Sequence, residues 1–182
     1  MGWGMKKLFI LSAILLLAAC SSDNQERPNE QVAIAAEPAV TPNWEYSTST
    51  DEMRGTKSQH ATTLSTNSID FEFPYNGGSH LGLTLRKNNE GQDIIVAIDK
   101  GQFICGIQDC EAAFKFDDGS VQQITMVGTD DHKSDVLFVA YDKTEEKIIQ
   151  QIKKSKKLII ELPFYQEGKR QFIFNIENLD WE

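Results

Sequence analysis

Residues able to do chemistry are present in this 182-residue chain, but their spacing matches no catalytic pattern. Segment 129–135 sets Asp130, Asp131 and Asp135 beside His132, donors of the kind that hold a divalent cation. An EF-hand loop also needs a Gly and a Glu at fixed later positions, and neither stands there. An acidic loop between two strands accounts for the same residues. Asp117 and Asp118 offer a second pair of carboxylates, yet Asp118-Gly119 between alternating apolar runs reads first as a hairpin turn, where Gly tolerates positive φ. His60, His80 and His132 lie far apart, and no G-x-S-x-G, H-E-x-x-H or P-loop pattern occurs. No catalytic residue, metal ligand set or cofactor is therefore assigned. Lys153, Lys154, Lys156 and Lys157 cluster in a chain with 27 acids against 18 bases. They read either as a surface for lipid phosphates or an acidic partner, or as lysines that complement a helix dipole and keep its end solvated. They are the best polar candidate for a binding surface.

The first twenty residues carry the clearest signal. Lys6 and Lys7 precede residues 8–17, a ten-residue stretch without a charge. Spanning a bilayer takes about 20 apolar residues, so this stretch fits a secretory signal peptide instead. Leu17-Ala18-Ala19-Cys20 resembles the lipobox of bacterial lipoproteins. That resemblance implies cleavage after residue 19 and acyl chains on the thiol and new amino group of Cys20. Several acyl chains give stable membrane anchoring where one gives only marginal binding. Ser21 follows, where an inner-membrane lipoprotein usually carries aspartate, so the resemblance implies the outer membrane, with the domain facing the periplasm or the cell surface. Met5 is an alternative start to Met1, since residues 1–4 add nothing the signal needs.

Removing residues 1–19 takes away two lysines and no acid, deepening the formal net charge from −9 to −11. Such a charge repels phosphate backbones and argues against nucleic acid as a partner. With Cys20 lipidated, Cys105 and Cys110 remain. An even count in an oxidising compartment implies a disulfide. A half metal site is the competing reading, and it lacks a second Cys or His pair at ligand spacing.

The elements that position these residues follow from composition and period. Residues 20–43 are rich in Ser, Asn, Gln, Glu, Ala and Pro without apolar periodicity, and read as a disordered tether. From Trp44 to Glu182 the pattern has period two. Ile69, Phe71 and Phe73 alternate with acids; Leu81, Leu83 and Leu85, then Ala112, Phe114 and Phe116, then Phe172, Phe174 and Ile176 repeat the pattern. These predict strands with one wet face. Residues 94–98 and 136–141 are apolar on both faces and predict central, doubly covered strands. Gly- and Asp-bearing turns at 74–78, 90–91, 117–119 and 167–168 separate the runs. An antiparallel β-sandwich of about ten strands is expected over 44–182. One short helix is expected near 144–155, with Thr144 as N-cap, Lys153 and Lys154 in its last turn, and Ile148, Ile149 and Ile152 facing the core.

Trp44-Glu45-Tyr46, Leu83-Thr84-Leu85-Arg86, Phe116-Asp117-Asp118-Gly119, the run at 158–161 and Phe172-Ile173-Phe174 together resemble a family of uncharacterised bacterial and prophage lipoproteins. More distantly, the order of elements is similar to envelope accessory proteins of type VI secretion. Those often place Cys beside the Arg, where Lys87 stands here. The resemblance implies a fold and no catalytic residue. A binding module that contacts an envelope protein, in a secretion-accessory or an immunity or exclusion role, is the leading expectation. A cell-wall or glycan hydrolase and a structural envelope lipoprotein are the alternatives.

Overall fold

A computed structural model describes residues 43–105 and 110–182. The expected signal peptide, Cys20 and all but the last residue of the expected tether lie outside the described residues. Nine strands and one helix follow in the order β1 (Glu45–Asp51), β2 (Thr56–Leu64), β3 (Leu81–Lys87), β4 (Gln92–Ile98), β5 (Cys110–Phe116), β6 (Gln122–Val127), β7 (Val136–Val139), α1 (Asp142–Ile152), β8 (Lys157–Phe164) and β9 (Gly168–Asn175). The fold is all-β and antiparallel with one short helix, as the alternation predicts. All nine strands pair in one sheet, in the order β1-β2-β3-β4-β7-β6-β5-β8-β9, and no second sheet forms among the described residues. Alternation reports that a strand has one buried face; it does not report which strands lie beside it.

The two ends of the sheet meet through backbone and side-chain bonds from the residues that flank β1 and β2. The backbone N–H of Thr66 donates to the carbonyl of Ile173 at 2.6 Å, and its hydroxyl donates to the same oxygen at 3.0 Å. Asn67 Nδ2 donates to the Gln171 carbonyl at 3.0 Å, while Asn67 Oδ1 accepts the N–H of Ile173 at 2.7 Å. Trp44 Nε1 donates to the Ile176 carbonyl at 3.4 Å. An amide side chain thus stands in for a missing strand and satisfies the open edge of β9.

The core lies inside this curled sheet. Leu81, Leu83 and Leu85, Ile94, Val96 and Ile98, and Phe114, Leu158, Ile160, Phe172 and Phe174 are all buried from alternate positions. β4 and β7 are central, as expected. Their second face is only half covered: Ile95, Ala97 and Phe138 are partly exposed, and the Arg86 guanidinium sits 5.6 Å above the Phe138 ring. The strand expected through 141 stops at Val139.

The helix begins two residues earlier than expected and ends three earlier. Tyr141, not Thr144, is its N-cap, because the Tyr141 carbonyl accepts the N–H groups of Thr144 and Glu145 at 2.8 and 3.0 Å. Lys153 is the C-cap, and the last turn holds no base. Ile148, Ile149 and Ile152 are buried as predicted, and the helix packs on β4 and β7.

The strand expected at 69–73 does not form. Ile69 pairs with Ser79 as a single bridge, and Phe71 is buried, but Phe73 turns outward. Beyond Ile69 the backbone is claimed elsewhere: the Glu72 N–H donates to the Glu167 carboxylate at 2.7 Å, and the Tyr75 N–H to the Glu72 carbonyl at 3.0 Å. In the β5–β6 turn, Asp117 rather than Gly119 takes positive φ, at 45°. Asp tolerates this conformation better than most residues.

Candidate functional site

A cleft of about 480 Å³ opens between the β3–β4 hairpin and the first turns of α1. β3 delivers Arg86 and Lys87 to one wall. The turn follows because Asn88 Oδ1 accepts the N–H groups of Glu90 and Gly91 at 2.8 and 3.1 Å, and the Asn88 N–H donates to the Gly91 carbonyl at 3.0 Å. β4 returns with Gln92 and Asp93. Antiparallel register sets Arg86 opposite Asp93, and their side chains pair at 2.7 Å. From α1 come Asp142, Glu145 and Glu146, one helical face at spacings of three and four. Five carboxylates therefore face two cations.

Glu145 is the unusual member. It is only 5% exposed, and its Oε1 accepts the N–H of Ile94 at 3.1 Å. Burial raises its pKa to about 7; the neighbouring Asp93 and Asp142 charges push the same way, while the Ile94 N–H and Arg86 oppose the rise. The helix expected near 144–155 gives no sign in its sequence that Glu145 is buried. The signal was available only in the tertiary contact of the helix with β4.

The lysine cluster runs from the C-cap of α1, Lys153, through the link to the first residue of β8, Lys157. Lys153, Lys154, Lys156 and Lys157 are all exposed. Asp117 holds the link, its Oδ1 accepting the N–H groups of Lys156 and Lys157 at 3.0 and 2.9 Å. Those two bonds, the Lys157 one first, hold its carboxyl below the usual range. Lys156 Nζ lies 3.3 Å from Glu177 Oε1. Asp117 is thereby a turn and link residue, and its neighbour Asp118 is not drawn into a site with it.

In the 128–135 loop, Asp131 pairs with Lys133 at 2.9 Å. Hydrogen bonds from Thr129 and then Lys133 hold its pKa down at about 2. No group of three or more His, Cys, Asp or Glu side chains is arranged to hold a metal ion among the described residues. His60 Nε2 lies 3.1 Å from the Ser49 hydroxyl, a pair that spacing did not reveal because β1–β2 register creates it. No carboxylate hydrogen-bonds the other ring nitrogen among the described residues, so the pair lacks the orienting partner a nucleophile needs.

Cys105 and Cys110 form a disulfide, with Cα atoms 4.4 Å apart. It lies near an aromatic cluster in which the Phe164 ring stacks on Phe71, Phe103 and Phe172, with centroids at 4.9, 5.0 and 5.8 Å. A Cβ at Gly101 would meet the Phe71 ring at 3.0 Å, and its φ of 134° is one that L side chains rarely adopt. Three chain segments are fastened together here. The Ile104 N–H donates to the Pro163 carbonyl at 3.0 Å and the Tyr165 N–H to the Gln102 carbonyl at 2.9 Å. Glu167 clasps Arg170 at 2.8 Å while accepting the Glu72 N–H. Next to these buried rings in the chain stand exposed apolar side chains: Phe73 (86% exposed), Tyr165 and Ile104. Of the remaining aromatic side chains, Trp181 is core, Tyr75 packs against it, and Tyr46 is exposed.

No family model matches this chain, and no match is found among curated proteins or solved structures. The likeness to lipoproteins thus rests on the sequence motifs alone.

Proposed function

We propose that this chain is an outer-membrane lipoprotein, held at the envelope by acyl chains on Cys20, whose β-domain acts by binding a protein partner. The observation that carries the reading is Phe73, a large apolar side chain left 86% exposed beside a tightly stacked aromatic cluster. Exposed apolar groups on a fixed scaffold mark contact surfaces, and aromatic anchors dominate binding energy at such surfaces. The disulfide and the Glu167 contacts pre-organise the neighbouring segments, which lowers the ordering cost of binding. The acidic charge favours a protein over nucleic acid as that partner. A secretion-accessory and an immunity or exclusion role both fit a tethered module of this kind, and the exposed lysines at 153–157 supply a second, polar surface.

A photo-activated cross-linker at position 73 in intact cells tests this reading. One discrete protein adduct, lost when Tyr165→Ser is combined with it, is the expected result. A smear of unrelated adducts, or none, removes the partner. Cys20→Ala is expected to release the protein from the membrane fraction; retention there removes the anchor.

A further inference from the structure

The two edges of the sheet are finished differently. Thr66 and Asn67 occupy the edge of β9, whereas β1 has no strand or loop bonded to its outer side among the described residues. Register decides which backbone groups are left over there. The Ser65 N–H donates to the Leu81 carbonyl at 2.8 Å, so odd residues of β2 bond to β3 and even ones bond to β1. Glu45 pairs with Thr62, Ser47 with His60 and Ser49 with Ser58, and these β1 residues spend their N–H and C=O groups on β2. Tyr46, Thr48 and Thr50 therefore aim theirs outward, and no described residue bonds to them.

Folded proteins blunt such an edge with a proline, a bulge, a lysine or a covering segment. Residues 45–51 contain no Pro, Gly, Lys or Arg, and their pairing with β2 runs unbroken from Glu45 to Asp51. Burial does not account for the strand either, because residues 45–50 are exposed on both faces. The edge is open.

We propose that β1 is a docking edge, to which an extended segment of a partner protein bearing basic side chains adds as a further antiparallel strand. Charge selects the occupant. Glu45, Glu52, Asp180 and Glu182 form no ion pair with any described residue, while Arg54 is taken by Asp51 at 2.9 Å and Lys87 Nζ donates to the Glu182 carbonyl. A cleft of about 470 Å³ runs beside the strand, with Tyr46 and Thr48 on one side and Asp180 and Glu182 on the other. The Asp180 N–H donates to the Tyr46 hydroxyl at 2.8 Å and holds the two sides together. Alternate side chains of an added strand fall on one face, so lysines or arginines at every second position reach these acids. A second copy of this chain fits worse: pairing β1 with itself about Thr48 sets Glu45 opposite Asp51 at both ends, and like charges directly opposite are destabilising. The edge shares no residue with the surface at Phe73, so either can fail without the other.

Two peptides of about eight residues, one alternating lysine with threonine and one glutamate with threonine, test the proposal. Each is titrated into the full chain, purified in a zwitterionic detergent, and hydrogen exchange is followed amide by amide. The lysine peptide is expected to slow exchange at Tyr46, Thr48 and Thr50 roughly tenfold and to leave Ser47 and Ser49, already bonded to β2, unchanged. The glutamate peptide is expected to do neither. Thr48→Pro deletes one outward N–H and is expected to weaken binding at least tenfold, whereas Thr48→Ala keeps that donor and stays within about twofold. No protection, protection of odd and even residues alike, equal binding of the glutamate peptide, or unchanged affinity in Thr48→Pro would overturn the proposal. So would a concentration-dependent dimer that protects the same three amides without peptide. Should Thr48→Pro disturb the hairpin, the exchange pattern of the unaltered protein decides alone.

Discussion

Glu145 Oε1 accepts the backbone N–H of Ile94 at 3.1 Å, so a side chain from the helix completes the hydrogen bonding of a central strand. The bond lies where the pairing of β4 with β7 stops, since that pairing covers only residues 95–97 of β4. A Glu oxygen takes the place of a strand carbonyl there. Its cost is a carboxyl removed from water.

That cost gives a pH dependence of known sign. Glu145 has a folded pKa near 7 against an ordinary 4.5, so between these values the folded state holds a proton that the unfolded state has released. Stability is therefore greatest below pH 4.5 and falls as pH rises to 7, by at most about 3 kcal/mol from this group. Glu145→Gln keeps an acceptor for Ile94 and is expected to be roughly 1–3 kcal/mol more stable than the parent at pH 8, with the gap vanishing at pH 4. Urea titrations at the two pH values measure it; a gap that does not change with pH contradicts the assignment.

Asn67 closes the sheet. Asn67→Ala removes two hydrogen bonds to the edge of β9 and is expected to cost about 1–3 kcal/mol. The Ile173 amide should lose hydrogen-exchange protection well before amides in β4 do. Uniform loss across the domain would mean that the seam is not a separate local element.

Two phenylalanines, one buried and one exposed, should behave oppositely. Phe164→Ala empties a buried site contacted by three other rings and is expected to cost roughly 3–5 kcal/mol. Phe73→Ser should change the melting temperature by no more than a degree or two, since an exposed side chain is usually worth under about 0.5 kcal/mol. A large loss at position 73 would show that its ring is covered within the domain.

The disulfide closes a short loop, so Cys105→Ser is expected to cost only about 2 kcal/mol and to leave the sheet intact. Far-ultraviolet circular dichroism and a denaturant curve under oxidising and reducing conditions report both parts. Collapse of the fold on reduction would assign the bridge a larger role.

Legibility of the sequence followed burial. β3, β5 and β9 were visible because Leu81-x-Leu83-x-Leu85, Ala112-x-Phe114-x-Phe116 and Phe172-x-Phe174 sort apolar and polar side chains onto opposite faces. β1 was invisible as a strand: residues 45–50 are exposed on both faces and show no alternation to read. The segment at 69–73 misled for the converse reason, since its alternation is real but its backbone bonds go to Glu167 and to a local turn. The disulfide was legible from the cysteine count and the compartment expected from the leader motif. The cleft was not, because it joins residues 86–93 to 142–146, and helix packing rather than spacing brings them together.

The contacts of Thr66 and Asn67 with Ile173 bridge more than a hundred residues of chain. Long-range closure of this kind comes late in folding, after the loop entropy of nearly the whole domain has been overcome. On the exported lipoprotein proposed above, a domain that closes only when β9 docks would stay pliable in transit, and the final hairpin would act as the latch.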